Sequence, residues 1–384
     1  MNFLEHAAKA RVLAPAGIPV PRAVLCRNPE EAVAAFAELG PCMVKAQVPT
    51  GKRGKAGGIK PANTAEEARS VAERILGMAI DGHAVGAVLL EEQARIVREF
   101  YAAVLIDTAS RCPLVLFSTE GGMDIEEVAA TQPDALRRHR VEPEAGFDAT
   151  AARALLSGLD LGGAEGAVAD IVASLYETSG RVDAELIEIN PLAVLADGRV
   201  VALDCKLTLD DSAAFRQAEL AGEAAEEPMT DLEREGAANG LKFIQLDGDV
   251  GVLANGAGLT MTTMDVISHC GGRPANFLEI GGEAYTKSEA ALKLVLSNPG
   301  VKSLVVNFCG AFARTDVMAE GVVAAWKRLD PDIPVFFSIH GTGEDEAVRL
   351  VREGLGCEPF DLMEDAVQAA VDAAHSAASR GAAR

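Results

Sequence analysis

The chain has 384 residues, more than a single hydrophobic core usually supports, so two or three domains are expected. Hydrophobic residues make up 49% and charged ones 24%, a balance in which apolar burial offsets chain entropy, and this excludes a disordered protein. The formal net charge of −22 repels phosphate backbones and anionic bilayers, so nucleic acid and membrane partners are not expected, while a local basic pocket could still take a nucleotide.

Along the chain, residues 4–15 read as a helix ending near Gly17, and Pro19 and Pro21 lead into a strand at 23–26. Pro29-Glu30-Glu31 opens a helix to Leu39, and 43–48 alternates with strand period. The next stretch, 50–58, sets four glycines among basic residues and reads as a mobile loop. A helix at 65–76 precedes strands at 87–91, 99–107 and 114–117, the last ending in Thr119-Glu120-Gly121-Gly122. Residues 186–190 and 200–204 read as a hairpin around Asp197-Gly198. The acidic, proline-broken stretch 221–231 is the expected boundary, placing one domain at 1–228 and another at 229–384. Beyond it, strands at 250–254, 303–308 and 334–339 each run into a glycine-containing turn and a helix, the rhythm of a doubly wound parallel sheet. The tail 373–384 is expected to fray. Nothing resembles a leader or a run of ~18 apolar residues, so a cytoplasmic chain is expected. The seven cysteines are scattered without a Cys-x-x-Cys pair, and neither a disulfide framework nor zinc is indicated.

In the loop 50–58, glycine lets backbone N–H groups approach an anion while Lys52, Arg53 and Lys55 add charge. It reads as a phosphate lid or as a solvated basic turn; the ending of a P-loop is missing. Lys45, on the strand before it, is a phosphate clamp only if the loop is a lid. Asn190 and Asp204 sit at facing ends of the hairpin and form either an oxygen-only pair for Mg²⁺ or a set of solvated turn caps. In the second half, turns at Asn255-Gly256-Ala257-Gly258, Gly281-Gly282-Glu283, Gly310-Ala311-Phe312-Ala313-Arg314 and Gly341-Thr342-Gly343 follow strands, where open α/β sheets form their ligand crevice. A helix beginning near Ala311 would aim its free N–H groups at an anion, with Arg314 adding charge. The histidines at 6, 83, 139, 269, 340 and 375 show no metal-ligand spacing.

Several stretches in register carry a resemblance over nearly the whole chain: Val44-Lys45-Ala46-Gln47-Val48 with Arg53-Gly54-Lys55-Ala56-Gly57-Gly58, Ser118-Thr119-Glu120-Gly121-Gly122-Met123-Asp124-Ile125-Glu126, Glu188-Ile189-Asn190-Pro191-Leu192, Asn255-Gly256-Ala257-Gly258-Leu259 with Thr263-Met264-Asp265, and Pro274-Ala275-Asn276-Phe277-Leu278. The chain resembles the β subunit of succinyl-CoA synthetase and its close relative malate-CoA ligase. The resemblance implies an ATP-grasp fold followed by a flavodoxin-like CoA-ligase domain. It also implies a nucleotide site of Lys45, Lys52, Arg53, Gly54, Glu91, Ala94 and Glu99, with Glu91 and Ala94 at the base and sugar. Asn190 and Asp204 would hold Mg²⁺, Glu188 would orient a phosphohistidine, and Asn255 with Ala311, Phe312 and Ala313 would hold a small dicarboxylate, with Arg314 beside them.

The family's co-substrates are ATP or GTP and CoA, the latter held mainly by an α subunit that also supplies the histidine, so the chain alone should be inactive. The sequence departs from the family at Pro49-Thr50-Gly51-Lys52, where His-Ala-Gly-Gly is common. It departs again at Gly310-Ala311-Phe312-Ala313, where Gly-Gly-Ile-Val is common, and at Ser338-Ile339-His340, where Arg-Leu-Glu is common. Phe312 would reshape the acid pocket, and malate or another substituted acid is the rival to succinate.

Overall fold

The first residues form α1 (Glu5–Ala8), which widens into a π-helical turn over Lys9–Leu13 rather than continuing as the single helix expected from 4–15. Such a widened turn is a frequent mark of functional sites, and here it buries Glu5 and Lys9 beside Ala7, Ala8, Val12 and Leu13. The computed structural model describes residues 1–226, 228–280 and 287–382, with side chains to residue 377, and it divides into two units, Met1–Glu227 and Pro228–Arg384.

After β1 (Ala23–Cys26), Asn28 accepts from the Glu31 amide at 2.8 Å and Pro29 fills the first turn, which starts α2 (Pro29–Leu39). Beyond β2 (Cys42–Ala46) and β3 (Ile59–Ala62), Thr64 starts α3 (Ala65–Leu76) the same way, through the Glu67 amide at 3.1 Å. With β4 (Val88–Glu92) the strands form an antiparallel sheet ordered β1-β4-β2-β3. Small residues on the helices, Ala32, Ala35, Ala68 and Ala72, pack with Val44, Val88 and Leu90 in one core. Strand alternation then turns Met43 and Lys45 to the opposite face, where they line a cavity.

A second antiparallel sheet follows: β5 (Ile96–Asp107), β6 (Cys112–Ser118), β7 (Leu136–Arg140), β8 (Ala184–Leu195), β9 (Val200–Ala202) and β10 (Lys206–Leu209). Its order is β9-β8-β5-β6-β7, with β10 also paired to β8. Phe100, Ala102, Val104, Ile187 and Ile189 share a core with Val168, Val172 and Leu175 of the helix Glu165–Arg181. Tyr101 and Glu188 therefore emerge on the other face. The sequence reading ends the strand at Asn190, because proline in a strand interior removes a ladder donor. The strand instead passes through Pro191 by a register shift between Ile189 and Leu192, and that bulge falls at Asn190.

The second unit opens with a capping box, Thr230 with Glu233, at the helix Asp231–Ala238. Three parallel strands, β11 (Val250–Ala254), β12 (Ser303–Gly310) and β13 (Val335–Gly341), lie side by side in that order. Alternate residues feed two cores: Leu253, Leu304, Val306 and Phe308 on one face, Val250, Val252 and Val305 on the other. Both faces are covered, as parallel sheets require. The tail expected to fray from 373 is helical as far as Ala382, with Val367, Ala370, Val371 and Ala374 in the second core, and residues 383–384 lie outside the described residues. An antiparallel pair, Phe243–Gln245 with Asn276–Leu278, was absent from the sequence reading. Among the described residues no helix is long and apolar enough to cross a membrane.

Gly121, just past β6, lies against the backbone of β5, where a Cβ would meet the Glu99 carbonyl carbon at 2.5 Å and the Phe100 carbonyl carbon at 2.6 Å. Backbone cannot move aside as a side-chain tip can, so Gly121→Ala is expected to cost about 2 kcal/mol or more in urea unfolding and to detach the 121–123 turn. Unchanged stability in that variant would show the approach to be looser than described.

Candidate active site

Lys45, Lys52, Arg53, Gly54, Glu91, Ala94, Glu99, Glu188, Asn190 and Asp204 all line one cavity of about 650 Å³ in the first unit. They come from β2, the loop after it, β4, the link to β5, β5 itself, β8 and the segment between β9 and β10.

The deepest wall is a cluster of buried charges. Lys45 Nζ donates to Glu91 Oε1 at 2.5 Å, Glu5 Oε1 at 3.1 Å and the Leu203 carbonyl at 2.7 Å. Lys9 Nζ donates to Glu5 Oε1 at 2.9 Å, to Glu91 Oε2, and to the same Leu203 carbonyl at 2.9 Å. Arg53 is 5% exposed; its Nη1 donates to the Ala46 carbonyl at 2.8 Å, and its Nη2 lies 2.7 Å from both Asp204 Oδ1 and Glu5 Oε2. Burial raises the Glu5 carboxyl, but Lys45, Lys9 and Arg53 overcome that and hold it well below the usual range. Burial prevails at Glu91 and pushes its carboxyl up despite the two lysines.

These positions modify two expectations. The loop 50–58 is tethered through Arg53 rather than free, and only its outer part is solvated: Lys52, at φ +59°, pairs with Asp124 at 3.1 Å while remaining largely exposed. Glu91, expected at the base and sugar, has both carboxylate oxygens engaged by lysines, so its side chain also positions cations.

Across the cavity, Tyr101 donates its hydroxyl proton to Glu188 Oε2 at 3.0 Å. Burial raises the Glu188 carboxyl above its ordinary value, and the tyrosine and Lys206 partly counter it. Asn190 Oδ1 accepts from the Gly122 amide at 2.7 Å and its Nδ2 donates to the Met123 carbonyl at 2.9 Å, which fixes the 121–123 turn to β8. Asp204 accepts from Arg53 and from the Cys205 amide through Oδ1 alone, leaving Oδ2 without a hydrogen-bond partner among the described residues. Ala94 packs beside Ala193, Leu195, Val201 and Leu203, and Glu99 accepts the Gly121 amide through its backbone carbonyl at 3.2 Å.

Sequence reasoning missed Glu5, Lys9, Tyr101, Asp124 and Lys206. The signal for the first two was present: opposite charges four residues apart on a helix whose neighbours are apolar. Tyr101 carries no local signal, since it alternates in a strand like any core aromatic.

In the second unit, Asn255 follows β11 and its amide clasps Cys309, accepting from its N–H at 2.7 Å and donating to its carbonyl at 2.9 Å. The side chain thus ties two strand ends together. The helix expected to begin near Ala311 begins at Thr315, with Arg314 at its N-cap. Ala311, Phe312 and Ala313 form the bend before it, and Phe312 is fully exposed. The Arg314 guanidinium is bound to Asp316 at 3.0 and 2.6 Å, so its charge is already offset at that helix end. His340 Nε2 lies 2.8 Å from the Asp361 carbonyl. The Gly281-Gly282-Glu283 turn lies outside the described residues.

Comparison with known proteins agrees with this architecture. Residues 2–194 match the ATP-grasp domain family and residues 253–371 the CoA-ligase family. The chain is 44% identical over 379 residues to the succinate–CoA ligase [ADP-forming] subunit β of Rubrobacter xylanophilus, covering 97% of this chain and 99% of that protein. It is 42% identical to the [GDP-forming] subunit β of Thermus thermophilus, covering 91% and 93%. A structure of ATP citrate lyase from Methanothrix soehngenii shares the fold at 23% identity and a TM-score of 0.77, covering 97% of this chain and 99% of that one. The chain therefore belongs to the family of succinate–CoA ligase β subunits, with an ATP-grasp domain followed by a CoA-ligase domain.

Proposed function

We propose that this chain is the nucleotide-grasping β subunit of a cytoplasmic ligase that joins coenzyme A to succinate, driven by a purine nucleoside triphosphate and assembled with an α subunit as αβ or α₂β₂. The observation that carries the reading is convergence: phosphate-binding cations, oxygen ligands and a buried carboxylate meet in one cavity, in a chain whose relatives are named for succinate. Those names favour succinate over malate, and malate becomes an outcome of the test.

A carboxylate accepts a thiol poorly until one of its oxygens becomes a leaving group. The γ-phosphoryl of the nucleotide passes to a histidine of the α subunit, then to the acid, and CoA sulfur displaces the phosphate from the acyl carbon. Lys45, Arg53 and Lys52 offset charge on the nucleotide phosphates, which is where most of the catalytic stabilisation of phosphoryl transfer resides. The Glu188 carboxylate, held by Tyr101, accepts the far N–H of the incoming imidazole and fixes its orientation. Asn190 and Asp204 fit Mg²⁺: both offer oxygen, Asp204 Oδ2 is uncommitted among the described residues, and two protein ligands suffice when phosphate and water complete the shell. Bound there, the ion would neutralise the triphosphate and polarise its terminal phosphorus. In the second unit, backbone amides of the 311–313 bend would meet the acid, and Asn255 would keep that edge in place by its hold on Cys309.

In the pair reconstituted with its α subunit, succinate should give CoA- and nucleotide-dependent release of phosphate, with ATP and GTP compared directly. Preference for malate would move the substrate assignment, whereas nucleotide cleavage indifferent to CoA would remove the ligase assignment. Asp204→Asn should lower turnover about 100-fold, and chelation should stop wild-type turnover until Mg²⁺ is restored. Tyr101→Phe should slow single-turnover phosphorylation of the α subunit about tenfold with the nucleotide KM unchanged, because the hydroxyl hydrogen-bonds Glu188 alone among the described residues; a raised KM instead would place Tyr101 at the nucleotide.

A further inference from the structure

Two lysines in the buried cluster share the same three acceptors. Both Lys9 and Lys45 reach Glu5 Oε1, one oxygen each of Glu91, and the Leu203 carbonyl. They differ in access, since Lys45 lines the cavity and Lys9 lies behind it, fixed on the π-helical turn that follows α1. Lys45 is thus held by two carboxylates and a carbonyl, and a triphosphate would have to draw it away from them. Removing one partner from a buried carboxylate is normally severe, because the anion is left without a counter-charge out of water. Here the loss is already covered.

We propose that Lys9 is a stand-in cation, a positioning residue that keeps Glu5, Glu91 and the Leu203 carbonyl satisfied while Lys45 turns to the nucleotide phosphates. The proposal rests on the nucleotide-site reading above. Without Lys9, both carboxylates depend more heavily on Lys45, and the lysine is less available to phosphate. Neutralising Glu91 has the opposite effect, since it releases Lys45.

The test uses the reconstituted pair with Lys9→Met, Lys9→Arg, Glu91→Gln and the Lys9→Met/Glu91→Gln double variant. Lys9→Met should raise the nucleotide KM about tenfold with kcat within about twofold, and leave the KM values for acid and CoA unchanged. Lys9→Arg should recover most of that loss, and the double variant should bring the nucleotide KM back toward wild type, as removal of one cation and one anion together restores balance. An unchanged nucleotide KM in Lys9→Met, or a parallel rise in all three KM values, overturns the proposal. If Lys9→Met does not fold, Glu91→Gln decides alone. A nucleotide KM lowered about fivefold supports the release of Lys45, and a raised one overturns it by placing Glu91 on the nucleotide. Failure of the broader functional reading is distinct, because the wild-type pair would then show no nucleotide-dependent ligation of CoA.

Discussion

Charge neutrality out of water is the constraint on which the first unit depends. Glu5, Glu91 and Asp204 face Lys9, Lys45 and Arg53, three negative groups against three positive, and all but Asp204 are buried. Each ion would cost several kcal/mol to bury alone, so each depends on its counter-charges. Its members come from the N-terminal helical segment, β2, the basic loop, β4 and the β9–β10 connection. Assembling the cluster therefore brings together the parts of the chain proposed to grip a nucleotide.

The same arrangement orders the protons. Glu5 sits well below the usual carboxylate range because three cations outweigh its burial, whereas Glu91 sits above it because burial outweighs two. On acidification the first proton therefore goes to Glu91. The stabilisation from Glu5 is complete above its ordinary pKa and is lost only as pH falls through its lowered one. For Glu91 the sign is reversed: ionisation carries a penalty at neutral pH that protonation relieves.

Much of this was legible in the sequence because the relevant signals are local. The Asn28-Pro29 and Thr64 starts, the alternation that exposes Lys45 on one face of β2, and the glycine-rich basic loop are each written within a few residues. What escaped depends on distant chain. The passage of β8 through Pro191 is made possible by pairing with β5 on one side and with β9 and β10 on the other, which no window around Pro191 contains. The start of the helix at Thr315 instead of Ala311 reflects Thr342, whose carbonyl accepts the Thr315 amide at 2.9 Å while its own amide donates to the Gly310 carbonyl at 2.8 Å. The charge-rich strand Leu136–Arg140 reads poorly as a strand because it is an edge, where charge is an advantage.

The proposed α subunit agrees with what the cavity wall is made of. Among the described residues no histidine lines it, and its charged side chains include Glu5, Lys45, Arg53, Glu91 and Asp204, which are engaged with one another. Phosphoryl transfer from a triphosphate requires a nucleophile that can accept and later release the group near neutral pH, and imidazole suits that task better than any carboxamide or ammonium present. Within the chain, His340 is tied to the Asp361 carbonyl in the second unit. On the proposed function, a site that holds the donor phosphates and offers Glu188 to an incoming imidazole is half of a reaction centre. The other half would come on the α subunit of that proposal, with the half-buried Glu188 carboxylate opposite the cations to receive it.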